Sequence, residues 1–305
     1  MTGTHTSFEA LGTTVFLAVR DARDLAQANR LSRTVLTDVD EVASRFRPDS
    51  DLSAVNREPG RWVEVDPLLV DAVAAAMAAA EQTAGLVSPL LGRPLVELGY
   101  DRDFRAVVER AATPEPVTPP PPVDAWREIR TDPAGRVRIP AGTALDLGSI
   151  GKAWVADLVA TACEQHLSAG AVISVGGDLR VAAPDGDTWA VALSEQPGGP
   201  VSSVVHLDRG GLATSSTRVR RWGRHGARRH HLLDPRTGLP AAEVWHTVSA
   251  VGATCAAANT ASTVAVVLGS DAPAWLRARG VTARLVDAGG AVHRTGSWPT
   301  EEAAA

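Results

Sequence analysis

Cysteine is scarce in this sequence. Cys163 and Cys255 are the two such residues among 305, and they form no Cys-x-x-Cys pair. That speaks against a disulfide-stapled scaffold or a paired-thiol redox motif, and it favours two buried free thiols. Long apolar runs are missing too. No stretch approaches the ~18 uninterrupted apolar residues that a membrane-spanning helix needs, and Asp71 interrupts the Ala/Val-rich run at 69–80. Residues 1–7 carry neither a basic cluster nor an apolar core, so no secretory signal is expected and a cytoplasmic location is the default expectation. Nor is there an excess of positive charge. Thirty Lys and Arg face 35 Asp and Glu, giving a net charge of -5 and a pI near 5.9. Such a balance provides no general attraction to nucleic acid or to an anionic membrane. No repeat of solenoid type is present.

What is there reads as an ordinary globular chain, with 45% hydrophobic and 21% charged residues. β-Branched and aromatic residues predict a strand over 11–19. Leu25, Leu31, Val35, Leu36, Val39 and Val42 recur mostly at three- and four-residue steps, which predicts a helix over 21–44. Asp66 and Pro67 suit the start of a second helix that stops before Gly85. The proline cluster at 111–124 reads as an extended surface excursion. The tail after 296 is expected to fray. Strands are predicted near 126–130, 136–139, 188–194, 202–207 and 246–251, and an apolar helix over 256–268. The middle of the chain reads as strand, glycine-rich turn and helix, with Leu147-Gly148-Ser149-Ile150-Gly151-Lys152 as the turn and the helix running over about 152–167.

Glycine lets backbone amides approach an anion, and a helix N-terminus adds unpaired N–H donors. The 147–152 segment has both features, yet it is not a P-loop. Asp146 stands where that motif has its first glycine and Ala153 where it has Ser or Thr. By itself the segment is as compatible with a tight turn before a helix. Gly176-Gly177-Asp178 likewise suits either a ligand-facing strand end or a plain hairpin. In His230-His231-Leu232-Leu233-Asp234-Pro235-Arg236-Thr237-Gly238 a histidine and an aspartate three residues apart can face one cleft, and histidine carries protons near neutral pH. A structural histidine beside a turn is the simpler alternative. The arginine-rich segment 218–229 (Arg218, Arg220, Arg221, Arg224, Arg228 and Arg229) reads by default as a solvated loop.

Taken in order, these segments resemble the FAD:protein FMN transferase (ApbE) family. Leu11-Gly12-Thr13 is similar to that family's early Met-Gly-Thr. The loop from Ser44 through Phe46 and Ser50 to Asn56 is similar to its Ser-Arg-Tyr loop. Leu145 to Lys152, with Asp157, resembles its Asp-Leu-Gly-Gly-Ile-Ala-Lys-Gly stretch. Gly176-Gly177-Asp178 matches its Gly-Gly-Asp, and His231 to Gly238 matches its His-Ile-Leu-Asp-Pro-Arg-Thr-Gly.

The resemblance implies an α+β fold over 1–305, with two closely packed lobes, mixed and mainly antiparallel sheets, and flanking helices. It implies FAD as substrate and Mg²⁺ as helper. FMN would pass to a Ser or Thr of an acceptor protein, and AMP would leave. His231, with Asp234, becomes the candidate catalytic pair. Leu11, Gly12, Thr13, Phe46, Ser50, Asp146, Gly148, Ser149, Ile150, Lys152, Gly176, Gly177, Asp178, Thr214, Ser215 and Thr237 become candidates for holding the dinucleotide. The metal ligands expected by position are the Gly151 carbonyl, Asn259 and Thr263. The family has Asp where this chain has Asn259, and also differs at Leu11, Phe46, Ser88 and Ser216. Asn is a weaker ligand for a hard cation. A non-catalytic FAD-binding protein and an FAD pyrophosphatase releasing FMN and AMP are therefore the alternative readings.

Overall fold

A computed structural model describes residues 4–108, 118–183, 188–195, 198–223 and 228–298. Half of the proline cluster (111–117), the end of the tail (299–305) and Arg224 lie outside the described residues.

An eight-stranded sheet organises the molecule. Its strands are β1 (His5–Ala10), β2 (Thr13–Val19), β3 (Ala171–Val175), β4 (Asp178–Ala182), β5 (Gly210–Ser216), β6 (Trp245–Gly252), β7 (Ala283–Asp287) and β8 (Val292–Thr295). They lie side by side in chain order, and every neighbouring pair is antiparallel. The fold is α+β, as expected, and all strand pairings among the described residues are antiparallel.

Alternation along the strands sends successive side chains to opposite faces. Ala171, Ile173 and Val175 pack on one side with Val155, Val159 and Cys163 of a helix. Val172, Leu179 and Val181 pack on the other, with Leu193, Val205 and Leu207 of the hairpin formed by Trp189–Ser194 and Val201–Leu207. The helical side carries α1 (Leu25–Ala43), α4 (Gly151–His166) and α5 (Cys255–Leu268). Against them lie α2 (Asp51–Arg57), α3 (Pro67–Gln82) and a small sheet of Val63–Glu64, Arg136–Arg138 and Arg130–Asp132, which together enclose a second core around Leu52, Leu69, Val73, Ile139 and Leu145. Among the described residues no helix is long and apolar enough to cross a membrane.

Three local expectations need correction. The predicted strand at 11–19 begins two residues later, because Leu11 and Gly12 form the β1–β2 turn with φ of 51° and 64°. Two-residue hairpins require such left-handed backbone, which matches the right-handed strand twist. The span 126–130 starts as a 3-10 turn, Ala125–Glu128, before the strand Arg130–Asp132. No strand runs into the 147–152 turn. The chain there is held by side chains instead: the Asn56 amide donates to the Leu145 carbonyl (2.9 Å) and its oxygen accepts from the Leu145 N–H (2.6 Å).

Candidate active site

α1, α3, α4 and the turn regions bound a cavity of about 320 Å³, within the size range of small-molecule sites. One wall comes from the 146–152 turn. The Asp146 carboxylate accepts from the Gly148 N–H (2.8 Å) and pairs with Arg45 (2.6 Å). A Cβ at position 148 would lie 2.8 Å from that carboxylate, so any larger residue there would displace it. The N–H groups of Ile150 and Gly151 both donate to the Leu147 carbonyl. α4 then starts with no side-chain cap, and Gly151 and Lys152 of its first turn line the cavity. An uncapped helix start is a favourable place for an anion.

Lys152 crosses to Asp178 at the start of β4, and its ammonium donates to that carboxylate. Gly176 and Gly177 form the β3–β4 turn with φ of 62° and 93°. A Cβ on Gly176 would lie 2.6 Å from Thr13 Oγ1 and 3.3 Å from Lys152 Cδ. The glycine therefore keeps the lysine stem in place. Phe46, Tyr100 and Phe104 form an aromatic side to the cavity, with the Arg45 guanidinium over both Phe46 (4.4 Å) and Tyr100 (5.0 Å). Stacking of this kind suits a planar ring system.

His231 lines the same cavity. Burial and the nearby Arg220, His230 and Lys152 charges hold its pKa well below the usual histidine value. Its Nδ1 is buried without a hydrogen-bond partner. The ring is thus a neutral imidazole with a nitrogen to spare. His230 points the other way, with Nε2 at 3.0 Å from the Ala241 carbonyl.

Leu11, Gly12, Phe46, Asp146, Gly148, Ser149, Gly151, Lys152, His231 and Thr263 all line this cavity. Other expected residues have different duties. Ser50 caps α2, accepting from Ser53 N–H and donating to the Ser44 carbonyl. Ile150 is buried in the second core. Thr13 and Gly176 pack beside the lysine stem, Gly177 completes the hairpin, and Asp178 is sequestered beneath Lys152. Thr214 and Ser215 cannot share one pocket, since adjacent strand residues face opposite ways. Thr214 bonds Ser249 (2.7 Å), whereas Ser215 meets Ser262 and Thr263 on α5.

Asp234 is not a partner of His231. Its carboxylate accepts from the Arg236 backbone and guanidinium, and its carbonyl accepts from the Thr237 and Gly238 N–H groups. Thr237 likewise serves that turn, accepting from Leu239 N–H. The aspartate-proline turn fixes the loop, and Arg236 ties it to the Val267 carbonyl of α5.

The arginine-rich segment is not merely solvated. Arg220 lines the cavity and donates to the Tyr100 hydroxyl (3.4 Å), Arg221 pairs with Glu243, and Arg229 is buried. Sequence reasoning also missed Arg45, Tyr100 and Phe104, whose spacing carries no periodic signal. Both cysteines are free and buried, as expected, and burial pushes the Cys163 thiol up to about 12 and Cys255 well above its ordinary value. Neither thiol is available as a nucleophile.

On α5, Asn259 and Thr263 lie one turn apart. Asn259 is 7% exposed and its Oδ1 has no hydrogen-bond partner. Among the described residues no group of three or more His, Cys, Asp or Glu side chains could hold a metal ion.

The sequence pattern of the ApbE family matches residues 11–285. The FAD:protein FMN transferase of Treponema pallidum is 30% identical over 258 residues, covering 77% of this chain and 70% of its own. That of Salmonella typhimurium is 27% identical over 261 residues, covering 82% and 73%. The crystal structure of the ApbE protein from Thermotoga maritima superimposes with a TM-score of 0.82 at 26% identity, over 95% of this chain and 96% of the other. The apo flavinyl transferase ApbE of Pseudomonas stutzeri shares the fold, with a TM-score of 0.76 at 22% identity over 95% and 94% of the two chains. With a family match spanning both glycine turns and the histidine loop, this chain belongs to the ApbE family.

Proposed function

We propose that the protein transfers FMN from FAD to a Ser or Thr hydroxyl of an acceptor protein. The observation that carries this reading is the neutral His231 imidazole in the same cavity wall as Lys152 and the uncapped start of α4. Phosphoryl transfer needs positioning, charge neutralisation and a proton acceptor more than covalent chemistry from the protein. The aromatic side would hold the ring system, and Lys152 would face the pyrophosphate. His231 would take the hydroxyl proton as the acceptor oxygen attacks the FMN phosphorus. The new phosphoester forms as the bond between the two phosphates breaks, and AMP departs with the bridging oxygen.

The neutral donors Asn259, Thr263 and the Gly151 carbonyl fit a divalent cation such as Mg²⁺, because the Asn259 oxygen is buried and unmatched by any protein donor. Such an ion would neutralise charge on the pyrophosphate. The set contains no carboxylate, so it holds a hard cation less tightly than the Asp version would. Asn259→Asp is expected to strengthen Mn²⁺ binding by about tenfold, or ~1.4 kcal/mol, in calorimetric titration. The same variant should melt at a lower temperature without metal, since it buries an unpaired charge. Unchanged Mn²⁺ affinity would remove these residues as the cation site.

The function is tested by incubating the protein with FAD, Mg²⁺ and a candidate acceptor, then measuring acceptor mass and AMP. A mass gain of one FMN unit on a Ser or Thr, with AMP released in equal amount, is the expected result. Free FMN and AMP without acceptor labelling would mark a pyrophosphatase, and bound unchanged FAD a carrier.

A further inference from the structure

The cavity wall contains four cationic side chains of Lys or Arg type: Arg45, Arg47, Lys152 and Arg220. Three are already matched by carboxylates. Arg45 pairs with Asp146, Arg47 with Asp40 and Asp49, and Lys152 with Asp178. Arg220 differs. Its hydrogen bond goes to the neutral Tyr100 hydroxyl, and among the described residues no carboxylate pairs with it.

Its backbone is also unusual. Arg220 has φ of 52°, in the left-handed region, and is one of three non-glycine residues so placed among the described residues. Strain of this kind persists only where surrounding structure enforces it, and it concentrates at ligand-binding positions. The enforcing contacts are visible on the next two residues. Arg221 is held by Glu243, while Trp222 is fully buried against Tyr100 (5.3 Å between rings) and donates to the Leu98 carbonyl (2.8 Å). Anchored there, the chain presents the preceding guanidinium to the cavity beside Tyr100.

The amides of Gly148, Ile150 and Gly151 are engaged internally, so they leave the anion-binding duty to side chains and to the rest of the first turn of α4. A guanidinium suits phosphate oxygens because its planar fork donates two parallel hydrogen bonds.

We infer that Arg220 is a phosphate-binding residue of this site, gripping the pyrophosphate of the bound dinucleotide together with Lys152. The inference rests on the FAD reading above and adds a residue to it. In the reaction this guanidinium would stay with the phosphate oxygens as charge builds on them, in the way that arginines serve other phosphoryl transfers.

The test compares FAD with riboflavin, which has the same ring system and no phosphate, on three proteins: the unaltered chain, Arg220→Gly and Arg220→Lys. Glycine accepts the left-handed backbone, so Arg220→Gly is expected to melt no lower than the parent while losing the charge. Its FAD affinity should fall at least tenfold, with riboflavin affinity within twofold of the parent. Arg220→Lys should recover part of the FAD binding. FAD affinity within twofold of the parent in Arg220→Gly would overturn the assignment, as would equal losses for FAD and riboflavin, which would make Arg220 a wall for the ring. If the unaltered chain binds FAD no better than riboflavin, the FAD reading fails together with the inference. If it prefers FAD and the variants keep that preference, the inference alone falls.

Discussion

His231→Ala is expected to lower FMN transfer by about 10²- to 10⁴-fold, the usual worth of a positioned general base, while FAD affinity changes little. The reason is local. His231 enters the cavity as a neutral ring, its proton affinity lowered by burial first and by Arg220, His230 and Lys152 next. A base must be unprotonated to accept the hydroxyl proton, and here it is already so at pH 7. Activity should therefore hold as the pH falls through the ordinary histidine range, and decline only further into acid. Linkage gives the same sign for stability. Below the unfolded histidine pKa the unfolded chain takes up a proton that the folded ring resists, so this residue makes the fold less stable as the pH falls. A pH–rate profile and single-turnover transfer at saturating FAD test both points. Full transfer by His231→Ala would remove the base, and an acid limb at ordinary histidine pH would contradict the burial argument.

Lys152→Ala should cost about 3 kcal/mol of stability, the low end for a half-buried pair broken on one side. For a chain of this size that is a fall in Tm of roughly 5 °C. Asp178 has a side chain only 2% exposed, whereas Lys152 is 23% exposed. Removing the lysine strands a carboxylate at the start of β4 without its partner. Asp178→Asn placed in the Lys152→Ala background should recover most of the loss, because the stranded charge is gone. The double variant should still bind FAD weakly, since the cation proposed to face the phosphates has not returned. Thermal melts of the two single variants and the double variant decide the point. If Lys152→Ala melts with the parent, the pair is not holding the turn.

Much of the site was readable from residue order. The glycines at 148, 176 and 177 signalled tight backbone, and they occupy positions where a Cβ would collide or where φ is positive. Lys152, His231 and Thr263 were named from motif position and do line one cavity. Motif membership did not separate residues that meet a ligand from those that shape the loops presenting it. Asp234, Thr237 and Ser50 belong to the second group, because a carboxylate or hydroxyl at a turn can satisfy its own backbone before it meets anything else. Thr214 and Ser215 show a related limit. Adjacent letters carried a single expectation, yet strand alternation places them on opposite faces.

The order of motifs was enough to assign the family and the α+β class, and the helices over 25–43, 67–82, 151–166 and 255–268 follow from periodicity and capping residues that act over a few neighbours. Arg45, Tyr100 and Arg220 became site residues only through folding. They lie 55 and 120 residues apart in the chain, and their meeting depends on how α1, the 98–104 segment and the 218–222 segment pack around Trp222. Local propensity acts over a turn or two, whereas the charge balance of a cavity is set by which distant side chains are brought to face one another.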